Sequence, residues 1–76
     1  MIKEHERVVL RGPVPTERLE KGDVGTVVHI YKDGQAYEVE FITLDGKTAA
    51  VVTLESGQVR PVGQREITHA RELAAK

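Results

Sequence analysis

The apolar positions of this chain follow two rhythms, a period of two through its middle and a helical spacing near its C-terminal end. The clearest alternation runs through Tyr37, Val39 and Phe41, with Glu38 and Glu40 between them, as in a strand with one face on a core and the other in water. Upstream, Lys21-Gly22-Asp23-Val24-Gly25-Thr26-Val27-Val28-His29-Ile30-Tyr31 hinges on two glycines into a β-branched strand beginning at Val24. Gly25 lacks the Cβ that would hinder a bulge or a close backbone approach. Downstream, Ala50, Val52 and Leu54 share one face of a strand from Thr48 to Leu54. The Asp-Gly pairs of Lys32-Asp33-Gly34-Gln35 and Leu44-Asp45-Gly46-Lys47 are hairpin signals, so these three strands are expected to form an antiparallel meander.

Arg7-Val8-Val9-Leu10-Arg11 reads as a first short strand and Gln58-Val59-Arg60-Pro61-Val62 as a closing edge strand. The fold class expected is therefore all-β, a five-stranded antiparallel small barrel over residues 1–62. Its predicted core is Val8 or Val9, Leu10, Val24, Val27, Ile30, Tyr37, Val39, Phe41, Ala50, Val52 and Leu54. Residues 63–76 change rhythm: Ile67, Ala70, Leu73 and Ala74 recur at helical spacing, and Glu72 and Lys76 stand at i, i+4, which predicts a short C-terminal α-helix. No Ser, Thr, Asp or Asn caps its start, and an isolated helix of about a dozen residues is marginal in water, so it needs a surface to lie on.

The segment Gly12-Pro13-Val14-Pro15-Thr16-Glu17-Arg18-Leu19-Glu20-Lys21 is the longest irregular stretch, and its two prolines stiffen it. A stiff loop loses less entropy when it is ordered against a partner, so this loop is the candidate contact surface. Arg11, Glu17, Arg18 and Glu20 would supply charged selectivity at its rim. Val14 and Leu19 would be apolar anchors, unless they are spent on sealing the barrel.

Composition narrows the classes of function. Eleven valines, four isoleucines and six threonines favour pleated sheet. The absence of cysteine leaves no disulfide framework, thiolate metal site or cysteine nucleophile. Ser56, the only serine, sits in a predicted turn with no base near it in sequence. His5, His29 and His69 lack any local metal-ligand spacing, and Glu38 and Glu40 read as the wet face of an alternating strand. Gly22 and Gly25 lead into a strand, not a helix, and have no phosphate-binding signature. No enzyme activity, cofactor or metal is expected. Net charge is -1, which offers no general attraction for nucleic acid or an anionic membrane. The charged N-terminal residues and the lack of any long apolar run lead to the expectation of a soluble cytoplasmic protein.

A resemblance runs through Arg7-Val8-Val9-Leu10, the Pro-containing loop, Gly22-Asp23-Val24-Gly25-Thr26-Val27-Val28, Ala36-Tyr37-Glu38-Val39-Glu40-Phe41, Asp45-Gly46 and Val59-Arg60-Pro61-Val62. Across roughly Ile2 to Val62 the chain resembles a bacterial family, domain of unknown function 4926, which brings no catalytic residue with it. More distantly, the layout is similar to Src-homology-3-like barrels such as the small reaction-centre accessory subunit of photosystem I, and this likeness implies fold alone. The function expected is a non-enzymatic protein-binding or accessory module. An antitoxin-like or immunity-like protein that covers a partner's active surface is one alternative, and a nucleic-acid-binding small barrel is another.

Overall fold

The computed structural model describes residues 1–74 and contains five strands where the alternation predicts them. They are β1 (Arg7–Leu10), β2 (Val24–Tyr31), β3 (Ala36–Ile42), β4 (Thr48–Glu55) and β5 (Val59–Pro61). All neighbours pair antiparallel in one sheet of order β4-β3-β2-β1-β5. Both Asp-Gly pairs make the turns expected of them. Lys32, Asp33 and Gly34 have φ of 47°, 58° and 96°, a left-handed run that closes the four-residue loop between the paired Tyr31 and Ala36. At the second turn Gly46 has φ 93°, its N–H donates to the Thr43 carbonyl at 2.8 Å, and the Thr43 N–H donates to the Lys47 carbonyl at 2.8 Å.

The two edge strands, β4 and β5, are joined only by the 3-10 turn Ser56–Gln58. So short a link between opposite edges requires the sheet to coil until they approach at that end. Among the described residues, however, no ladder pairs β4 with β5, so the sheet is rolled and open where a closed barrel is predicted. β5 is three residues long, ends at Pro61, and gives its register to β1; a proline has no N–H with which to extend a ladder.

The inner face carries one apolar cluster, Val8, Leu10, Val27, Tyr37, Val39, Phe41, Ala50, Leu54 and Val59, with Leu19 added from the first loop. Ile30 and Val52 are half-buried against it. A register shift between Val27 and His29 sets Ile30 opposite Tyr37 and leaves His29 exposed. Val24 departs from the predicted core. It pairs with Val9 across β1 and β2, on the face opposite Gly25 and Val27, and is 42% exposed. Glu38 and Glu40 face outward, as the alternation predicts: the Thr53 hydroxyl donates to Glu38 at 2.6 Å and the Thr48 hydroxyl to Glu40 at 2.6 Å.

Gly25 permits the close approach of β2 to the core. A Cβ built there would lie 2.5 Å from Val39 Cγ1, 2.9 Å from Phe41 Cε2 and 3.0 Å from the Glu40 carbonyl oxygen. Gly25→Ala is therefore expected to destabilise the fold by about 1–3 kcal/mol through overpacking. Urea unfolding measures this, and an unchanged midpoint would show that the sheet relaxes freely at that point.

The predicted C-terminal helix is not formed. Residues 63–74 contain no helix, and the expected Glu72–Lys76 pair reaches a residue outside those described. Arg60, Glu66 and Arg71 make ion pairs at separations of six and 48 residues, not along a helix face. With no N-cap, those long-range pairs outweigh the weak helical periodicity. The segment instead runs as an irregular arm beside the sheet.

Candidate functional site

Val9 shows where the arm lies. It points away from the Val8 and Leu10 side of β1 and stands outside the inner cluster, yet it is only 5% exposed. Val9 and Val24 share a cleft with Arg60, Val62, Glu66 and Ile67, so the arm shields the outer face of β1 and β2. Among the described residues, no backbone hydrogen bond joins residues 62–74 to the sheet; side chains hold the arm.

Two arginine–carboxylate forks do this. Arg60 Nη1 donates to Glu66 Oε1 at 2.8 Å and Nη2 to Oε2 at 2.6 Å, while the Gly63 N–H donates to Oε1 at 2.5 Å. Arg71 Nε donates to Asp23 Oδ1 at 2.9 Å, and its Nη2 donates to Asp23 Oδ2 at 2.5 Å and to the Arg18 carbonyl at 3.2 Å. Glu20 Oε2 is 3.6 Å from Arg71 Nη1. Planar bidentate pairs of this kind fix direction as well as supplying charge.

Burial pushes the Asp23 carboxyl up, but the hydrogen bonds from Arg71 and the Glu20 N–H, together with the Arg71 charge, outweigh it and hold Asp23 below its ordinary value. The Arg60 fork and the Gly63 N–H bring Glu66 down from 4.5 to about 2. A depressed carboxylate stabilises the docked state above its free value and loses that contribution as pH falls through its docked value. The arm is therefore expected to stay docked at neutral pH and to detach between about pH 4.5 and about pH 2, in the window set by Glu66. Chemical shifts of the Gly63 N–H and the Arg71 Nε–H through an acid titration are the measurement, and positions unchanged down to pH 2 would remove the forks as the holding force.

Where the arm crosses the end of the sheet, it borders a second cleft of about 300 Å³, walled by Leu19, Phe41, Ile42, Leu44, Ala49 and Leu73, with Asp23 and Arg71 at one side. Leu44, Val51 and Ile42 are 81%, 50% and 47% exposed, so the β3–β4 hairpin end presents apolar surface to water.

The six residues singled out in the first loop take different places. Leu19 belongs to the core and Val14 is half-buried against it. Their backbones bridge reciprocally: the Val14 N–H donates to the Leu19 carbonyl at 2.9 Å and the Leu19 N–H to the Val14 carbonyl at 3.1 Å. Between them the 3-10 turn Pro15–Glu17 ends at Arg18, which has φ 58°. Glu17 is partly covered, and Arg11, Arg18 and Glu20 have exposed side chains. The loop is thus a folded excursion with a charged rim, and Arg18 and Glu20 both meet Arg71. Nothing local in the sequence marks the Asp23–Arg71 contact, which spans 48 residues and exists only in the folded chain.

Polar side chains cluster on the outer face of β2 and β3. The Tyr31 hydroxyl donates to Glu38 at 3.2 Å, which pushes Tyr31 up, and the Tyr31 ring meets His29 edge-on. Among the described residues, no group of three His, Asp or Glu side chains converges to hold a metal, and no helix is long and apolar enough to cross a membrane.

Fold and site together define a small all-β domain, one rolled antiparallel sheet strapped across part of its outer face. The chain belongs to the family described as domain of unknown function (DUF4926), whose model matches residues 4–61 and so takes in all five strands and Asp23 but not Glu66 or Arg71. None of the curated proteins matches the chain, and none of the solved structures does.

Proposed function

We propose that this chain is a non-enzymatic protein-binding module that docks its partner on the β3–β4 hairpin end, with the first loop as a charged rim. The observation that carries this reading is the exposure of Ile42, Leu44 and Val51 beside β4, a strand of eight residues laddered on one side only. Exposed apolar side chains grouped beside an open strand edge are the ordinary substrate for association with another chain. Arg11, Glu17, Arg18 and Glu20 would add charge selectivity, with Leu19 and Val14 holding the loop that presents them. An antitoxin-like or immunity-like role is one form of this reading, in which the docked partner loses access to its own active surface. The Src-homology-3-like layout is compatible with the rolled sheet and the β5–β1–β2 pairing.

Val51→Lys and Leu44→Asp are expected to leave the thermal midpoint nearly unchanged, because both side chains already stand in water. Each should reduce capture of the native partner from its host, measured by affinity purification against the unaltered chain and then by titration with the purified partner. Capture undiminished by either change, but lost on Arg18→Glu, would move the interface to the first loop. Tight, salt-sensitive binding of oligonucleotides would instead favour a nucleic-acid-binding role.

A further inference from the structure

The arm looks like an occupant of the cleft more than like a part of the fold. It has no backbone ladder to the sheet, and its most apolar residue, Ile67, is 92% exposed while Leu73 is 37% exposed. Beside Glu66, which Arg60 holds, its most covered engaged group is the Arg71 guanidinium. Four of the five acceptors around that guanidinium come from a single short stretch, namely both Asp23 carboxylate oxygens, the Arg18 carbonyl and, more distantly, Glu20; the fifth is the carbonyl of the adjoining Glu72 at 3.2 Å. Arg18 is held in the left-handed conformation and the Asp23 carboxylate is oriented by the Glu20 N–H at 2.7 Å. The cradle is therefore built by the loop itself, inside the stretch that defines the family, whereas the arginine filling it lies outside that stretch.

The geometry points to this cradle and the adjoining apolar cleft as a binding site for an extended peptide segment of a partner protein, one that carries an arginine flanked by apolar residues and displaces the chain's own residues 66–74. The charge of Asp23 and Glu20 selects the arginine, and the forked contact selects it over lysine. The walls at Ile42 and Leu44 stay open to water under the arm, so a segment with larger apolar side chains beside its arginine buries surface that the arm leaves wet. The arm acts as a tethered competitor: held in cis at high effective concentration, it keeps weak ligands out and yields to a better-matched one. This inference rests on the reading of the chain as a protein-binding module.

The test uses the full chain with Arg71→Ala, and with Arg71→Lys as a second host should the first fold poorly. The probe is a fluorescein-labelled peptide of the chain's own segment from Glu66 to Ala74, followed by anisotropy. The peptide should bind the Arg71→Ala chain about tenfold or more tightly than the unaltered chain, whose cradle is already filled. Binding should be lost when the peptide's arginine is replaced by alanine, and lost again in the chain carrying both Asp23→Asn and Arg71→Ala. Absence of binding to either folded host, or binding indifferent to the peptide's arginine, overturns the site. A dimer of the unaltered chain that Arg71→Ala dissolves also overturns it, since the occupant would then be the arm of a second copy. Failure of the peptide while partner capture remains sensitive to Val51→Lys would sink the arginine-directed site and leave the module reading standing.

Discussion

Phe41→Ala should cost about 3–5 kcal/mol of unfolding free energy, the largest single effect expected in this molecule. Phe41 is 4% exposed and lies opposite Ala50 in the β3–β4 ladder. Its ring edge also comes within 2.9 Å of where a Cβ on Gly25 would stand, so the ring fills the space that the missing side chain opens. It is the only phenylalanine in a chain without tryptophan, and Ala50, the residue opposite, is too small to fill the hole. A domain of this size holds roughly 4–11 kcal/mol in all, so the variant is expected to be substantially unfolded near body temperature. Urea titration followed by far-UV circular dichroism measures the loss. A loss under about 1 kcal/mol would mean that the inner face is not packed around this ring.

Leu19→Ala is expected to cost about 2–5 kcal/mol, although it changes a residue in the longest irregular segment of the chain. The side chain is 4% exposed and belongs to the inner cluster, and its backbone closes the loop on Val14. Arg18→Glu, one residue earlier, should change the unfolding free energy by no more than about 0.5 kcal/mol, because that side chain is in water and only its carbonyl meets Arg71. The contrast separates two tasks within one loop, sealing the end of the core and presenting charge. Equal, small effects at both positions would show that the loop is detached from the core. A large effect at Arg18 would reveal a role for its side chain beyond the rim.

The strands were legible because alternation is a local signal. Tyr37, Val39 and Phe41 point inward and Glu38 and Glu40 outward for the same reason that any half-buried strand alternates, and the Asp-Gly turns were readable because a tight hairpin needs left-handed backbone, supplied at Asp33, Gly34 and Gly46. Val24 stands three residues from Val27, so the same period of two that turns Val27 inward turns Val24 to the outer face, where it pairs with Val9. Val59 and Leu19 joined the core for a different reason: whether a short edge strand or a loop residue is covered depends on how far the sheet rolls.

By itself, then, the sequence determined the class of fold, the five strands, the meander and the residue that most heavily fills its core, all of them consequences of side-chain period and turn chemistry within a few residues. Only the tertiary structure decided the open roll of the sheet and the fate of the C-terminal segment. A weak helical rhythm in Ile67, Ala70, Leu73 and Ala74 competes there with forks from Arg60 to Glu66 and from Arg71 to Asp23. The second of these exists only once the chain has brought residues 48 positions apart to hydrogen-bonding distance. An uncapped helix of about a dozen residues has little free energy of its own to set against such contacts, so the arm takes the path that the folded sheet offers it.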